Sequence, residues 1–148
     1  MKKIIIINGP NLNLLGNRET DIYGSTTLSE IEQISINKGN ELNLKISFFQ
    51  SNSESEIIEL IHKVQNDYDG LIINPAAYTH TSVALLDALK AISKPKIEIH
   101  LSNIYNREDY RKSSITSTGV DGMICGFGSL SYILAIEALN GLLANLNL

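Results

Sequence analysis

The sequence predicts an α/β domain in which helices cover both faces of a parallel sheet. Five short β-branched runs, at residues 3–8, 44–50, 70–74, 96–100 and 120–125, read mostly as continuous apolar strings rather than alternating ones. Strands buried on both faces have that pattern. The stretches between them carry helical periodicity, and the resulting order is βαβαβαβαβα. Parallel neighbours need crossover connections, so the expected fold is a flavodoxin-like three-layer sandwich around a five-stranded, doubly wound sheet.

Each helix has its own signal. Thr27-Leu28-Ser29-Glu30 and Ser53-Glu54-Ser55-Glu56 fit the capping-box pattern, in which hydroxyl and carboxylate each satisfy an orphan backbone donor. The second box leads into Ile57, Leu60, Ile61 and Val64, an apolar stripe at helical spacing. A third helix is expected after His80, with Val83, Leu86 and Leu89 on its apolar side, and a last one over residues 129–144. Gly126-Phe127-Gly128 reads as a tight strand-to-helix turn rather than a phosphate cradle. No repeat, linker or low-complexity tract interrupts the pattern, so residues 1–148 are expected to form one domain.

Composition narrows the functional classes. The 148 residues are 43% hydrophobic and 19% charged, ordinary values for a globular protein. A formal net charge of −4 argues against a nucleic-acid partner, which needs a basic stripe to neutralise phosphates. The single cysteine, Cys125, excludes a disulfide framework and a multi-thiolate metal site, and its apolar run marks it as a small buried hydrophobe. The isoleucines at 4–7 fall far short of the roughly 20 residues of a membrane span. The same run after Met1-Lys2-Lys3 is cut by Asn8-Gly9-Pro10 too early for a signal peptide, so the expected location is the cytoplasm, away from membranes.

Two connections, residues 10–25 and 101–119, are longer than the scaffold needs, and both directly follow strands. Long connections in compact domains are usually functional, and open α/β sheets bind ligands outside the carboxyl ends of their strands. The strand ends supply Asn8-Gly9-Pro10-Asn11, Gln50-Ser51, Asn74-Pro75 and His100-Leu101-Ser102, a rim of neutral hydrogen-bonding groups with one histidine. The acids and lysine of a phosphorelay receiver are missing from these ends. So are a Walker loop and a dinucleotide fingerprint after the first strand.

Glu98 lies two residues before His100 and therefore projects to the same side of the pleat. Such a pair would hold the imidazole in one tautomer and favour its charged form. The alternative is a glutamate turned to solvent on an edge strand. His62 sits mid-helix beside Lys63 and reads as solvated surface, whereas His80, between Thr79 and Thr81-Ser82, stands at a helix start. Arg18 and Tyr23 share the first long loop. An ordinary tyrosine is about one part in a thousand ionised at pH 7, so one acting as a base needs a nearby cation. The bland reading of both is loop surface. Gly16 and Gly24 bracket the segment and would allow it to close as a lid.

The string Asn8-Gly9-Pro10-Asn11-Leu12-Asn13-Leu14-Leu15-Gly16, continuing through Arg18-Glu19 to Tyr23-Gly24, resembles type II 3-dehydroquinate dehydratase. So do Gln50-Ser51-Asn52-Ser53-Glu54, Asn74-Pro75-Ala76-Ala77-Tyr78-Thr79-His80-Thr81-Ser82 and Glu98-Ile99-His100-Leu101-Ser102-Asn103. The four blocks keep the family's order and spacing over essentially the whole chain. The resemblance implies reversible dehydration of 3-dehydroquinate to 3-dehydroshikimate, in the shikimate pathway, by anti elimination through an enolate, without metal, Schiff base or other cofactor. It implies that Tyr23 removes the C2 proton, with Arg18 keeping it ionised. Asn11, with backbone around Pro10, would hold the water that binds the enolate oxygen, and His100, oriented by Glu98, would protonate the departing C1 hydroxyl. Asn74 and the Leu101 and Ser102 amides would bind the substrate carboxylate, with His80 and Arg111 on the ring hydroxyls. The resemblance further implies a homododecamer built from trimers, with Asp87 reaching a neighbour's site; read alone, Asp87 is a polar residue on a helix surface.

Three departures stand out. Ala76 occupies a position where the family more usually has glycine, Tyr105-Asn106-Arg107 replaces His-Ala-Arg, and residues 112–118 lack a customary histidine and tyrosine. They fall beside the chemical groups rather than on them. The rival expectation from another class is a flavodoxin-like binding or signalling module without catalysis.

Overall fold

Isoleucines at consecutive positions of a strand must point to opposite faces, so a run of them is stable only where both faces are covered. In the computed structural model, which describes residues 1–17 and 19–144, strand β1 (Lys2–Asn8) has this environment, with Ile4 to Ile7 fully buried. It lies inside a sheet with β2 (Leu44–Gln50), β3 (Gly70–Asn74), β4 (Lys96–His100) and β5 (Gly122–Cys125). The strand order is β2-β1-β3-β4-β5 and every pair is parallel.

Among the described residues, five α-helices lie between and after the strands: α1 (Thr20–Tyr23), α2 (Leu28–Glu41), α3 (Glu54–Asp67), α4 (Val83–Ala91) and α5 (Leu130–Leu143). Ile4, Ile6 and Ile72 pack with Ile31 of α2 and with Tyr132, Ile136 and Leu139 of α5. Ile5, Ile7, Leu71 and Ile73 pack on the other face with Ile57, Ile61 and Val64 of α3 and Leu85 and Leu89 of α4. The three layers and five parallel strands are the flavodoxin-like sandwich expected from the sequence. Burying one such side chain contributes about 1.5–3 kcal/mol, so the alternating isoleucines of β1 tie both layers to one strand.

Thr27, Ser53 and Ser82 cap their helices, accepting the amides of Glu30, Glu56 and Leu85 at 3.2, 3.2 and 2.9 Å. The box at Ser53 is only half made, because the Ser53 amide donates to Ser51 Oγ at 3.0 Å rather than to Glu56. Three further expectations are corrected. Helix α4 buries Leu85, Ala88 and Leu89 and leaves Val83 57% exposed, because Val83, two residues before Leu85, lies about 200° around the helix from that stripe. Strand β5 begins at Gly122, after a 3₁₀ turn at Thr116–Gly119. Cys125 is only half-buried, since β5 is an edge strand with a neighbour on one side alone.

The connections after β1, β3 and β4 gather at the carboxyl ends of the strands. Gly9 donates its amide to Asn74 O at 2.8 Å, and a Cβ at residue 9 would lie 2.5 Å from Pro75 O. No other residue type fits that approach. Gly126-Phe127-Gly128 forms the turn into α5, held to the neighbouring chain by Gly126 N–H to His100 O and Gly128 N–H to Leu101 O. Among the described residues, no helix is long and apolar enough to cross a membrane.

Candidate active site

A cavity opens at those strand ends. Its walls come from Pro10, Asn11 and Tyr23 of the first loop, from Asn74, Ala76 and His80 after β3, and from His100, Leu101 and Ser102 after β4, with Arg107 and Arg111 beyond. Most of the residues singled out in the sequence therefore meet in one place. Glu98 stands behind His100, Asp87 is exposed on α4 away from this chain's cavity, and Arg18 lies outside the described residues.

The histidine side is built on β4, all five residues of which are buried. Glu98 and His100 alternate with Ile97 and Ile99, so both polar side chains leave the same face. Glu98 is fully buried, which removes the reading of a glutamate at a solvent edge, and β4 has strands on both sides. His100 Nε2 lies 2.7 Å from Glu98 Oε2, and the same oxygen accepts from Thr79 Oγ1 at 2.7 Å and Ser114 Oγ at 3.1 Å. Thr116 Oγ1 donates to the other oxygen. Burial alone pushes the Glu98 carboxyl up, but the hydrogen bond and charge of His100, with Thr116 and Thr79, outweigh it and hold the group below its ordinary value. A buried carboxylate with this many donors is an ion kept in place. It fixes the His100 tautomer and leaves Nδ1 as the ring nitrogen not engaged by Glu98.

The tyrosine side is built differently. Tyr23 ends α1, a single turn between Gly16 and Gly24, whose φ angles of +88° and +80° suit glycine. Its hydroxyl accepts from Arg107 Nη1 at 3.2 Å, and the guanidinium carbon lies 5.6 Å from the ring centroid. The same Nη1 donates to Ser102 Oγ at 3.2 Å. Arg111 adds a second positive charge. Its burial opposes that charge, but a hydrogen bond with Tyr110 and the fields of Tyr23 and Glu108 outweigh burial and raise its pKa. Glu108 sits between the two arginines, 3.6 Å from Arg107 Nε and 3.1 Å from Arg111 Nε.

Arg107 is a cavity side chain to which the sequence alone assigns no role. Its signal was present: an arginine in the second long connection, four residues before Arg111 and downstream of the strand that carries His100. Nothing in the sequence likewise marks the hydroxyls of Thr79, Ser114 and Thr116 as partners of Glu98.

The remaining walls are neutral. Asn74 Oδ1 accepts from the Ala76 amide at 3.1 Å and its Nδ2 donates to Tyr132 at 3.2 Å. Ala76 has φ +52°, the left-handed region where glycine is favoured and alanine costs about 1 kcal/mol. Asn11, also left-handed at φ +69°, donates its amide to Asn52 Oδ1 at 3.0 Å. His80 Nδ1 donates to Ser113 O at 2.7 Å, which leaves Nε2 as the ring nitrogen not engaged by that carbonyl.

A doubly wound α/β protein with a Tyr–Arg pair and a Glu–His pair in one strand-end cavity has the parts of an acid–base enzyme for a small polar molecule. The chain belongs to the dehydroquinase class II family, whose model matches residues 2–140. It is 57% identical to the 3-dehydroquinate dehydratase of Caldicellulosiruptor saccharolyticus over 97% of this chain and 99% of that one. The enzyme of that name from Thermoanaerobacter pseudethanolicus is 51% identical over 93% of each. Among solved structures, the type II dehydroquinase of Butyrivibrio crossotus superposes with a TM-score of 0.92 at 43% identity, covering 94% of this chain and 97% of that one. The type II dehydroquinase of Propionibacterium acnes gives 0.92 at 41%, covering 95% and 97%.

Proposed function

We propose that this chain dehydrates 3-dehydroquinate to 3-dehydroshikimate by anti elimination through an enolate, with Tyr23 as base and His100 as acid. The reaction itself, dehydration of 3-dehydroquinate in the shikimate pathway, is the family's and makes the protein a hydro-lyase. It sets the chemical demand. A proton α to a ketone is weakly acidic, so the base and the stabilisation of the enolate must act together. Tyr23 takes the C2 proton on its phenolic oxygen, and Arg107 Nη1, which donates to that oxygen, stays beside it after transfer. The family resemblance also assigns Arg18 to keeping that tyrosine ionised.

The Asn11 side chain holds a water against the enolate oxygen. His100 then gives its proton to the C1 hydroxyl, which leaves as water while Glu98 stabilises the imidazolium during the cycle. Asn74 with the Leu101 and Ser102 amides binds the carboxylate, and His80 and Arg111 hold ring hydroxyls. No step in this sequence calls on a metal or a Schiff base. The whole chain acts as one catalytic domain in the cytoplasm, within a dodecamer of trimers in which Asp87 serves a neighbouring site.

The observation that carries this reading is the meeting of the Tyr23–Arg107 and Glu98–His100 pairs in a single cavity. The test is to mix EDTA-treated protein with 3-dehydroquinate and follow the ultraviolet absorbance of the conjugated enone. A rise unaffected by EDTA and by borohydride is expected. A signal lost to either reagent overturns the proposed mechanism.

A further inference from the structure

A carboxamide has an oxygen end and a nitrogen end of nearly equal size, so its orientation is decided by the partners it meets. For Asn74 those partners form a chain with backbone groups at both ends. Phe49 O can only accept, and Asn8 Nδ2 donates to it at 2.9 Å. Asn8 Oδ1 therefore faces away, toward Tyr132, whose hydroxyl donates to it at 2.6 Å. With its one proton committed there, the Tyr132 oxygen can only accept from its other neighbour, Asn74 Nδ2, at 3.2 Å. Asn74 Oδ1 then turns to the Ala76 amide, which can only donate, at 3.1 Å. Asn8 and Asn74 are paired across β1 and β3, so the sheet itself sets their spacing.

From this chain we infer that Tyr132 is a positioning residue that fixes the Asn74 carboxamide so that its remaining N–H, and not its oxygen, is offered to the cavity. Tyr132 is fully buried on α5 and never reaches the cavity. Burial also raises its pKa well above the ordinary tyrosine value, so the hydroxyl stays a neutral donor at any working pH. An N–H is what an anionic carboxylate needs from Asn74; an oxygen there would repel it. Without the hydroxyl, the carboxamide hangs from the Ala76 amide alone and turns about that one bond.

The inference rests on Asn74 as a carboxylate ligand, and the test separates the two. Tyr132→Phe, Asn74→Ala and the double variant are compared by steady-state kinetics with 3-dehydroquinate, with melting curves to establish folding. Tyr132→Phe is expected to raise KM about tenfold while kcat changes less than about threefold, since an oriented bond to an anion is lost and the acid and base are untouched. In the Asn74→Ala background the same substitution is expected to add nothing. Asn8→Leu, which removes the acceptor of the Tyr132 proton, should raise KM likewise and serves if Tyr132→Phe does not fold. An unchanged KM, a loss confined to kcat, or additive effects in the double variant would overturn the positioning role. A normal KM in Asn74→Ala would remove the carboxylate reading, and the role of Tyr132 with it.

Discussion

The two halves of the active site are held by different physics. His100 ends an interior strand, and its carboxylate partner is gripped from both neighbouring connections by three hydroxyls. Tyr23 sits on one helical turn between two left-handed glycines and meets the rest of the site through long side chains, Arg107 above all. The proposed acid is placed by the core of the fold, whereas the proposed base is placed by a single helical turn and a side-chain contact from another loop. Substitutions in the first half should therefore damage stability and chemistry together. In the second they should damage chemistry alone.

The largest effect is expected from Tyr23→Phe. Loss of the only proposed base should lower kcat by about 10³-fold or more, at the upper range of acid–base contributions, with the melting temperature unchanged because only a hydroxyl is removed. Substantial turnover in that variant would remove Tyr23 from the mechanism. A clear drop in melting temperature would instead show that the base half is as structural as the acid half.

Glu98→Gln tests the other side. An amide has one accepting oxygen where the carboxylate has two, so it cannot take every donor that meets Glu98, and the variant should lose about 2–3 kcal/mol of stability as well as activity. The loss should depend on pH. His100, Thr116 and Thr79 outweigh burial and hold the Glu98 carboxyl below the ordinary carboxylate range, so its contribution is full above the unfolded value and disappears as pH falls through the folded one. Melting temperatures of the two proteins should therefore converge as the pH is taken from 6 down toward 3. A gap that stays constant over that range would mean that Glu98 does not hold His100 as an ion pair.

The smallest effect concerns Ala76. Glycine there relieves a left-handed alanine at φ +52° but gives back chain entropy in the unfolded state, so Ala76→Gly should move stability by less than about 1 kcal/mol. Its Cβ also lies beside Asn74 in the cavity wall. A change in KM without a change in melting temperature would show that the methyl shapes the carboxylate end of the site.

What could be read in the sequence follows from the same division. The strands were legible because burial on both faces writes an unbroken apolar run, as in Ile4 to Ile7, and Glu98–His100 because an alternation of two is a fixed property of a strand. On α4 two overlapping apolar stripes, Val83-Leu86-Leu89 and Leu85-Ala88-Leu89, both have helical spacing, and spacing alone does not say which one meets the sheet. Arg107, Thr79, Ser114 and Thr116 were passed over for another reason. They act by meeting residues far away in the chain, and a hydroxyl in a loop carries no local mark of the carboxylate it will reach. Tyr132 had the same disguise, as one more aromatic on a core helix.

The close approach at Gly9 has a consequence for how this enzyme can vary. Because residue 9 touches Pro75 backbone to backbone, the loops that carry Asn11 and Asn74 behave as one welded plate rather than two independent strands of text. Insertions or deletions at either side of that weld would shear Asn11 and Asn74 apart, so chain length there is fixed for as long as the chemistry is. The turn that carries Tyr23 is tied from the other side, by Arg107 Nη1 on its hydroxyl, so a change of length there would move the proposed base off its partner.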